Sequence, residues 1–469
     1  MWLIRKLQDP HLVVAFQKIC GVEAVSEDGS SQKTTNGSSN GSVGVANHSS
    51  NSSVNGSVDS KNGIVSNGNY LVSSNGELSS GDSSGLKSRI GELSNGHNIH
   101  ANGNAHLTQN GDKFHVANGN SKTFQNGASP KSKEPNNNAC QKRYRVNNMF
   151  WYYMFHFGAN LGNEIFYITF FPFMVWNYDY YIIRRSCAFW ALYMYLGQAT
   201  KDVLKIPRPL SPPVVRLEDR YALEYGLPST HAMVGAGLPF SIFFLSLNRY
   251  EFPWSVGLAI CVAWCLLVCL SRIYLGMHSF LDLAVGLIYV FALMLPFFAI
   301  CDVCDDFAQH HWLGPLLSIF LPLALCICYP TLNKWSTARG DTTLILAVAS
   351  GVYFASYFNV RYGFTIDNPV PPPYSFPFAA EDLGVYVLRF LTGVVVLGVT
   401  REIIKILSNK FICWLLEVNS QDLKQQQRLS IELPYKFITY SIIGFNAVFT
   451  VPIIHSYLGI ARVAFHFEA

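Results

Sequence analysis

The sequence predicts an all-α fold: a polytopic bundle of about nine transmembrane helices preceded by a disordered N-terminal region. Three observations carry this expectation. Half of the 469 residues are hydrophobic, only 14% are charged and the mean hydropathy is +0.20, a balance that water-soluble domains of this size do not show. From about Asn147 onward, apolar stretches recur with short polar breaks, each near the roughly 20 residues a helix needs to cross the hydrocarbon core. Residues 26–140, by contrast, are dominated by Asn, Ser and Gly and hold too few apolar groups to offset the entropy of ordering.

Taken in order, residues 1–25 predict a short amphipathic segment with Leu12, Val13, Phe16 and Ile19 on its apolar face, resting on the membrane or docking on the domain. Arg5, Lys6, Asp9 and Pro10 interrupt the apolar residues there, so no signal-peptide core is expected. The Asn/Ser/Gly-rich linker 26–140 follows, and 145–465 form the transmembrane domain, with a catalytic core at about 195–290. Nine candidate helices lie at about 150–176, 183–200, 229–247, 254–272, 279–301, 312–330, 341–359, 383–400 and 436–459. The first is long enough for a tilted crossing or for a helix with an interfacial lead-in at Trp151, Tyr152 and Tyr153, and a double pass or a half-helix there would part the N-terminus from the site's side. The Pro-rich stretch Asn368 to Pro377 reads as an extended loop, because consecutive prolines cannot continue a helix.

Several function classes drop out. Net charge is only +4, and the Lys and Arg residues stand at segment ends rather than in a basic patch, which excludes nucleic acid as a partner. Many of the eleven Cys residues, such as Cys261, Cys265 and Cys269, lie inside apolar runs, where a thiol behaves as a small hydrophobe. Cys301 and Cys304 form a C-x-x-C without the second ligand pair that a structural zinc site needs.

Ionisable residues avoid the apolar runs but cluster at the ends of the second to fifth predicted helices. Lys201, Lys205 and Arg208-Pro209 follow the second; Pro228-Ser229-Thr230-His231 opens the third; Ser271-Arg272 closes the fourth; His278 and Asp282 open the fifth. Helix parity brings these four ends to one membrane face. A phosphate monoester matches such a cluster, because its transition state spreads negative charge over three oxygens. Lys201, Arg208 and Arg272 supply positive charge, Ser229 and Ser271 neutral donors, and Thr230 and His231 sit at a helix N-terminus that favours an anion. His278 and Asp282 stand four residues apart on one helix face, so the carboxylate can hold the imidazole in one tautomer while its other nitrogen attacks phosphorus. His231 is the candidate proton donor for the leaving alkoxide. No metal or other cofactor is expected, since three cations meet the charge and no carboxylate cluster is available for magnesium. Each piece alone has a plainer reading: a core histidine, snorkelling cations, a helix-supporting His–Asp pair. All of those must hold together to displace the catalytic one.

Read together, Lys201-x6-Arg208-Pro209, Pro228-Ser229-Thr230-His231 and Ser271-Arg272-x5-His278-x3-Asp282 resemble the three-part signature of the type 2 phosphatidic acid phosphatase superfamily, over about residues 195–290. The resemblance implies a phosphate cage from Lys201, Arg208, Ser229 and Arg272, with His231 as acid, His278 as nucleophile and Asp282 as its support. One departure is visible: Thr230 stands where the usual signature has Gly. That Thr, with Leu7-Gln8-Asp9-Pro10 and the run from Phe16 to Glu23, is similar to the branch acting on phosphorylated sphingoid bases. A sphingoid-base phosphate lipid as substrate, membrane lipids as surroundings and residence in the endoplasmic reticulum are what this implies. The same signature serves phosphatases of phosphatidic acid, polyprenyl pyrophosphates and glucose 6-phosphate. A catalytically silent lipid-binding or transport protein is the reading from another class, and the intact His231, His278 and Asp282 argue against it. On sidedness the two expectations differ: the excess of Lys and Arg on the site's side points to the cytosol, whereas the resemblance points to the lumen.

Overall fold

The first residues form two short helices, α1 (Trp2–Gln8) and α2 (Pro10–Ile19), in a computed structural model that describes residues 2–24, 144–219, 221, 224–330, 337–418 and 428–469. Asp9 caps α2 by accepting from the His11 N–H at 2.9 Å, and Pro10 supplies the preset φ of a first helical turn. The amphipathic segment docks on the domain. Val13 is fully buried, and Gln17 Nε2 donates to the carbonyls of Val215 (2.6 Å) and Tyr274 (2.9 Å), while Ile19 is exposed. Strand β1 (Val22–Ala24) then pairs antiparallel with β2 (Tyr144–Val146), Val22 opposite Val146. The predicted linker at 26–140 lies outside the described residues.

The first stretch, 150–176, is two helices, α3 (Met149–Asn160) and α4 (Glu164–Asn177), interrupted at Leu161, Gly162 and Asn163. Next come α5 (Tyr180–Leu204), α6 (Thr230–Leu247), a two-residue strand β3 (Tyr250–Glu251), α7 (Trp254–Tyr274), α8 (Phe280–His310), α9 (Gly314–Ile327) and α10 (Thr337–Arg361). A strand β4 (Tyr374–Ser375), parallel to β3, precedes α11 (Leu383–Leu415), α12 (Leu429–Val448) and α13 (Thr450–Tyr457).

All nine predicted stretches are helical, but among the described residues six segments are long and apolar enough to cross a membrane: α6, α7, α8, α10, α11 and the α12–α13 run. The expected count of about nine spans is not confirmed by length and composition among the described residues. The α3–α4 break leaves two short helices, α9 is short, and α5 carries Arg184, Arg185, Lys201 and Asp202. Burial grades the bundle. Two thirds of the apolar window of α6 and of α10 is buried in protein, against 22% in α8 and 17% in α11, so the last two present continuous apolar faces to lipid.

The buried charges of α5 are paired. Near its start, Arg184 forks onto Asp305 of α8 (2.9 and 2.7 Å), and Arg185 adds a contact to the same carboxylate at 2.9 Å. The C-terminal tail joins this network: the Glu468 carboxylate accepts from the Tyr180 N–H at 2.8 Å, and its carbonyl accepts from Arg184 at 3.1 Å. This network ties α5 and α8 together at the ends opposite Lys201 and His278.

Candidate active site

Local chain chemistry sets four helix ends against one another. α5 stops one turn after Lys201, where Lys205 takes a left-handed conformation (φ 55°) and Pro207 and Pro209 prevent continuation. Ser229 caps α6, its hydroxyl accepting from the Ala232 N–H at 3.3 Å, which leaves Thr230 and His231 in the first turn. After α7, Gly276 adopts φ 69° so close to the preceding loop that a Cβ would stand 2.2 Å from the Val215 carbonyl oxygen. That turn leads directly to His278. Ser279 and Asp282 then open α8 with a reciprocal capping box, Asp282 N–H to Ser279 Oγ at 3.2 Å and Ser279 N–H to Asp282 Oδ2 at 2.8 Å.

Lys201, Arg208 and Arg272, scattered over 72 residues of sequence, come together as buried cations. Lys201 Nζ donates to Thr230 Oγ1 (3.1 Å) and Glu224 Oε2 (3.3 Å). Arg208 donates through Nε to the Glu224 carbonyl (3.0 Å) and through Nη1 to the Met277 carbonyl (2.8 Å) and to His278 Nε2 (3.0 Å). Arg272 donates through Nη1 to Glu218 Oε2 at 2.8 Å. Arg208 Nη2 and Arg272 Nε and Nη2, all buried, make no hydrogen bond among the described residues. Buried charged donors left this way are costly, and a tetrahedral oxyanion is the acceptor that would satisfy several of them at once.

The two histidines face each other with ring centroids 6.5 Å apart. His278 is fully buried, and its Nδ1 lies 3.6 Å from Asp282 Oδ2, within ion-pair reach but beyond a hydrogen bond. Donation from Arg208 to Nε2 requires a lone pair on that nitrogen, so we assign the ring proton to Nδ1, on the Asp282 side. Burial foremost, then the charges of Arg208, Arg272 and Lys201, hold the His278 pKa well below its ordinary value, and the imidazole is neutral at pH 7. Burial pulls Arg208 down to about 10 against the opposing pull of Glu224, which still leaves it charged. Burial alone would raise the Glu224 carboxyl, but Lys201 and Arg208 outweigh it and keep it ionised.

The predicted neutral donors have other partners. Ser229 serves as the helix cap, and the Thr230 hydroxyl accepts from Lys201. Ser271 departs from expectation: its hydroxyl donates to the Val268 carbonyl of its own helix at 2.6 Å, so it is left out of the proposed cage.

Other residues in the site were not singled out from sequence. Glu224 joins Lys201 to Arg208 and accepts from Thr337 of α10 at 2.9 Å, and Glu218 holds Arg272. Two acids in a loop bounded by cage cations were the available signal. Tyr221 packs edge-on to His231 at 5.3 Å. Gly162, at the break between α3 and α4, lies so close to His231 that a Cβ would stand 2.8 Å from the imidazole Cδ2. A cleft of about 500 Å³ borders the site, lined by Arg5, Gln8, Asp9 and Pro10 on one side and by Pro207 to Leu210 and Ser279 on the other. Among the described residues no group of three His, Cys, Asp or Glu is placed to hold a metal ion.

The PAP2 superfamily model matches residues 184–304, from the start of α5 through most of α8. Sphingosine-1-phosphate phosphatase 1 of Rattus norvegicus is 42% identical over 323 residues, covering 68% of this chain and 74% of the relative. Sphingosine-1-phosphate phosphatase 2 of Mus musculus is 38% identical over 333 residues, 70% of this chain and 93% of the relative. A dihydrosphingosine 1-phosphate phosphatase of Schizosaccharomyces pombe is 27% identical over 44% of this chain and 51% of its own length. No solved structure gives a significant match. The similarity to the mammalian relatives extends well beyond the residues that the superfamily model matches, and the chain belongs to the sphingosine-1-phosphate phosphatase family of the PAP2 superfamily.

Proposed function

We propose that this multi-pass membrane protein hydrolyses sphingosine 1-phosphate and related sphingoid-base phosphates to the free base and phosphate, through a phosphohistidine on His278, in the endoplasmic reticulum membrane. The observation that carries the mechanism is the fully buried His278, with Nε2 among the cage cations and Nδ1 on the Asp282 side. Arg208 Nη1 exchanges Nε2 for a phosphate oxygen, and the lone pair freed on Nε2 attacks phosphorus as the P–O ester bond breaks, while Lys201, Arg208 and Arg272 hold the equatorial oxygens. The proton for the departing alkoxide comes from His231, across the phosphate from the nucleophile. Water then attacks the phosphohistidine, His231 takes its proton, and phosphate leaves with His278 restored. The three cations supply the electrostatic stabilisation, so no metal enters the scheme.

The test is phosphate release from sphingosine 1-phosphate and from phosphatidic acid by membranes carrying the wild type or His278→Ala, with chelator in excess. Release from the sphingoid substrate that survives chelation and disappears in the variant supports the reading. Preference for phosphatidic acid would move the substrate class, and equal release from both proteins would remove the mechanism.

A further inference from the structure

Phosphate recognition does not by itself call for acidic side chains, yet two carboxylates stand among the three cage cations. Their settings differ. The Glu224 side chain is 4% accessible and is held by Lys201, Arg208 and Thr337, the arrangement of a residue that fixes its neighbours. Glu218 keeps 18% of its side chain accessible, and its ion-pair partner is Arg272. It therefore sits beside the proposed phosphate-binding cations with part of its side chain accessible.

A sphingoid-base phosphate carries an ammonium on the carbon next to the one bearing the phosphate ester. When the phosphate meets Arg272, that cation necessarily lies close to the group Arg272 already holds. We propose that Glu218 receives the substrate ammonium while Arg272, anchored by Glu218 through Nη1, directs Nε and Nη2 to the phosphate. Glu218 thereby selects free-amine sphingoid phosphates over N-acylated ones and over phosphates without an amine. The selection has two parts: a zwitterionic substrate matches cation to carboxylate and anion to guanidinium, whereas a substrate without the ammonium brings its dianion beside an uncompensated carboxylate. This inference rests on the sphingoid-phosphate reading above.

The test compares kcat/KM for sphingosine 1-phosphate and for its N-acetyl derivative, which keeps the chain and the phosphate, in membranes carrying the full-length wild type, Glu218→Gln or Glu218→Asp. The wild type favours the free amine by roughly tenfold or more, the scale of one desolvated charge contact. In Glu218→Gln that ratio falls towards one, with the larger loss on the free amine, and in Glu218→Asp, which keeps the charge, part of the preference remains. An equal fall on both substrates would mean that Glu218 only orients Arg272 and would overturn the inference, as would an unchanged ratio in Glu218→Gln. If the Gln variant is not recovered from membranes, loss of the preference in the Asp variant is the overturning result. Wild-type hydrolysis of both substrates without preference overturns the role of Glu218 alone; hydrolysis of neither overturns the reading beneath it as well.

Discussion

Arg208 Nη1 donates to His278 Nε2 at 3.0 Å, so a cage cation and the proposed nucleophile are in direct contact. This contact sets the tautomer and adds to the electrostatic pressure against protonation. The neutral form of His278 therefore persists below the ordinary histidine range near 6.5. Attack requires that form, so kcat/KM should fall on the acid side only as pH drops through the lowered pKa. Arg272→Gln removes one of the repelling charges and should shift the acid limb of its residual single-turnover rate upward, towards 6.5. A limb that stays in place would contradict this electrostatic account.

Glu224 neutralises Lys201 and Arg208 in a buried setting. Glu224→Gln leaves both cations without that carboxylate, and breaking a buried pair costs on the order of 3–5 kcal/mol. Inorganic phosphate should then raise the Tm of the variant more than that of the wild type, because the anion takes over the missing charge. Equal shifts in thermal unfolding with and without phosphate would show that Glu224 does not balance the cage.

Gly162→Ala places a methyl where only 2.8 Å separates it from the His231 ring, so the imidazole must move. A displaced proton donor should lower kcat on sphingosine 1-phosphate by roughly 10- to 100-fold. A substrate with a good leaving group, such as p-nitrophenyl phosphate, needs little protonation and should lose far less. Parallel losses on both would assign Gly162 a purely structural role.

Asp305 acts at the other end of the bundle. Asp305→Ala leaves Arg184, itself fully buried, without its bidentate partner, and should destabilise the protein by about 3–5 kcal/mol. Activity per folded molecule should not change, because the pair ties α5 and α8 at the ends away from Lys201 and His278. Thermal inactivation curves paired with initial rates measure the two effects separately.

The sequence showed the apolar helices, because lipid imposes a length and a composition that survive any packing detail. The nine stretches are helical, yet length did not reveal that Leu161-Gly162-Asn163 would divide the first of them, since aromatic residues on both sides keep its hydropathy high. That Lys201, Arg208, Arg272, His231 and His278 belong together was legible because charge at a membrane helix end is rare and their spacing is that of a known signature. Glu218 and Glu224 were not, for the opposite reason: acidic residues in a polar loop are ordinary, and only the fold brings them onto Arg272 and Lys201. Ser271 shows the reverse limit, since nothing in its position tells that its hydroxyl turns back on the Val268 carbonyl.

The central claim is covalent catalysis by His278, and the direct measurement is transfer of label from ³²P-sphingosine 1-phosphate to the protein during turnover, denatured under alkaline conditions that preserve phosphohistidine. The account predicts label on residue 278 of the wild type, chased away by unlabelled substrate, and none on His278→Asn. Turnover without a labelled protein, or label that persists in His278→Asn, would contradict it.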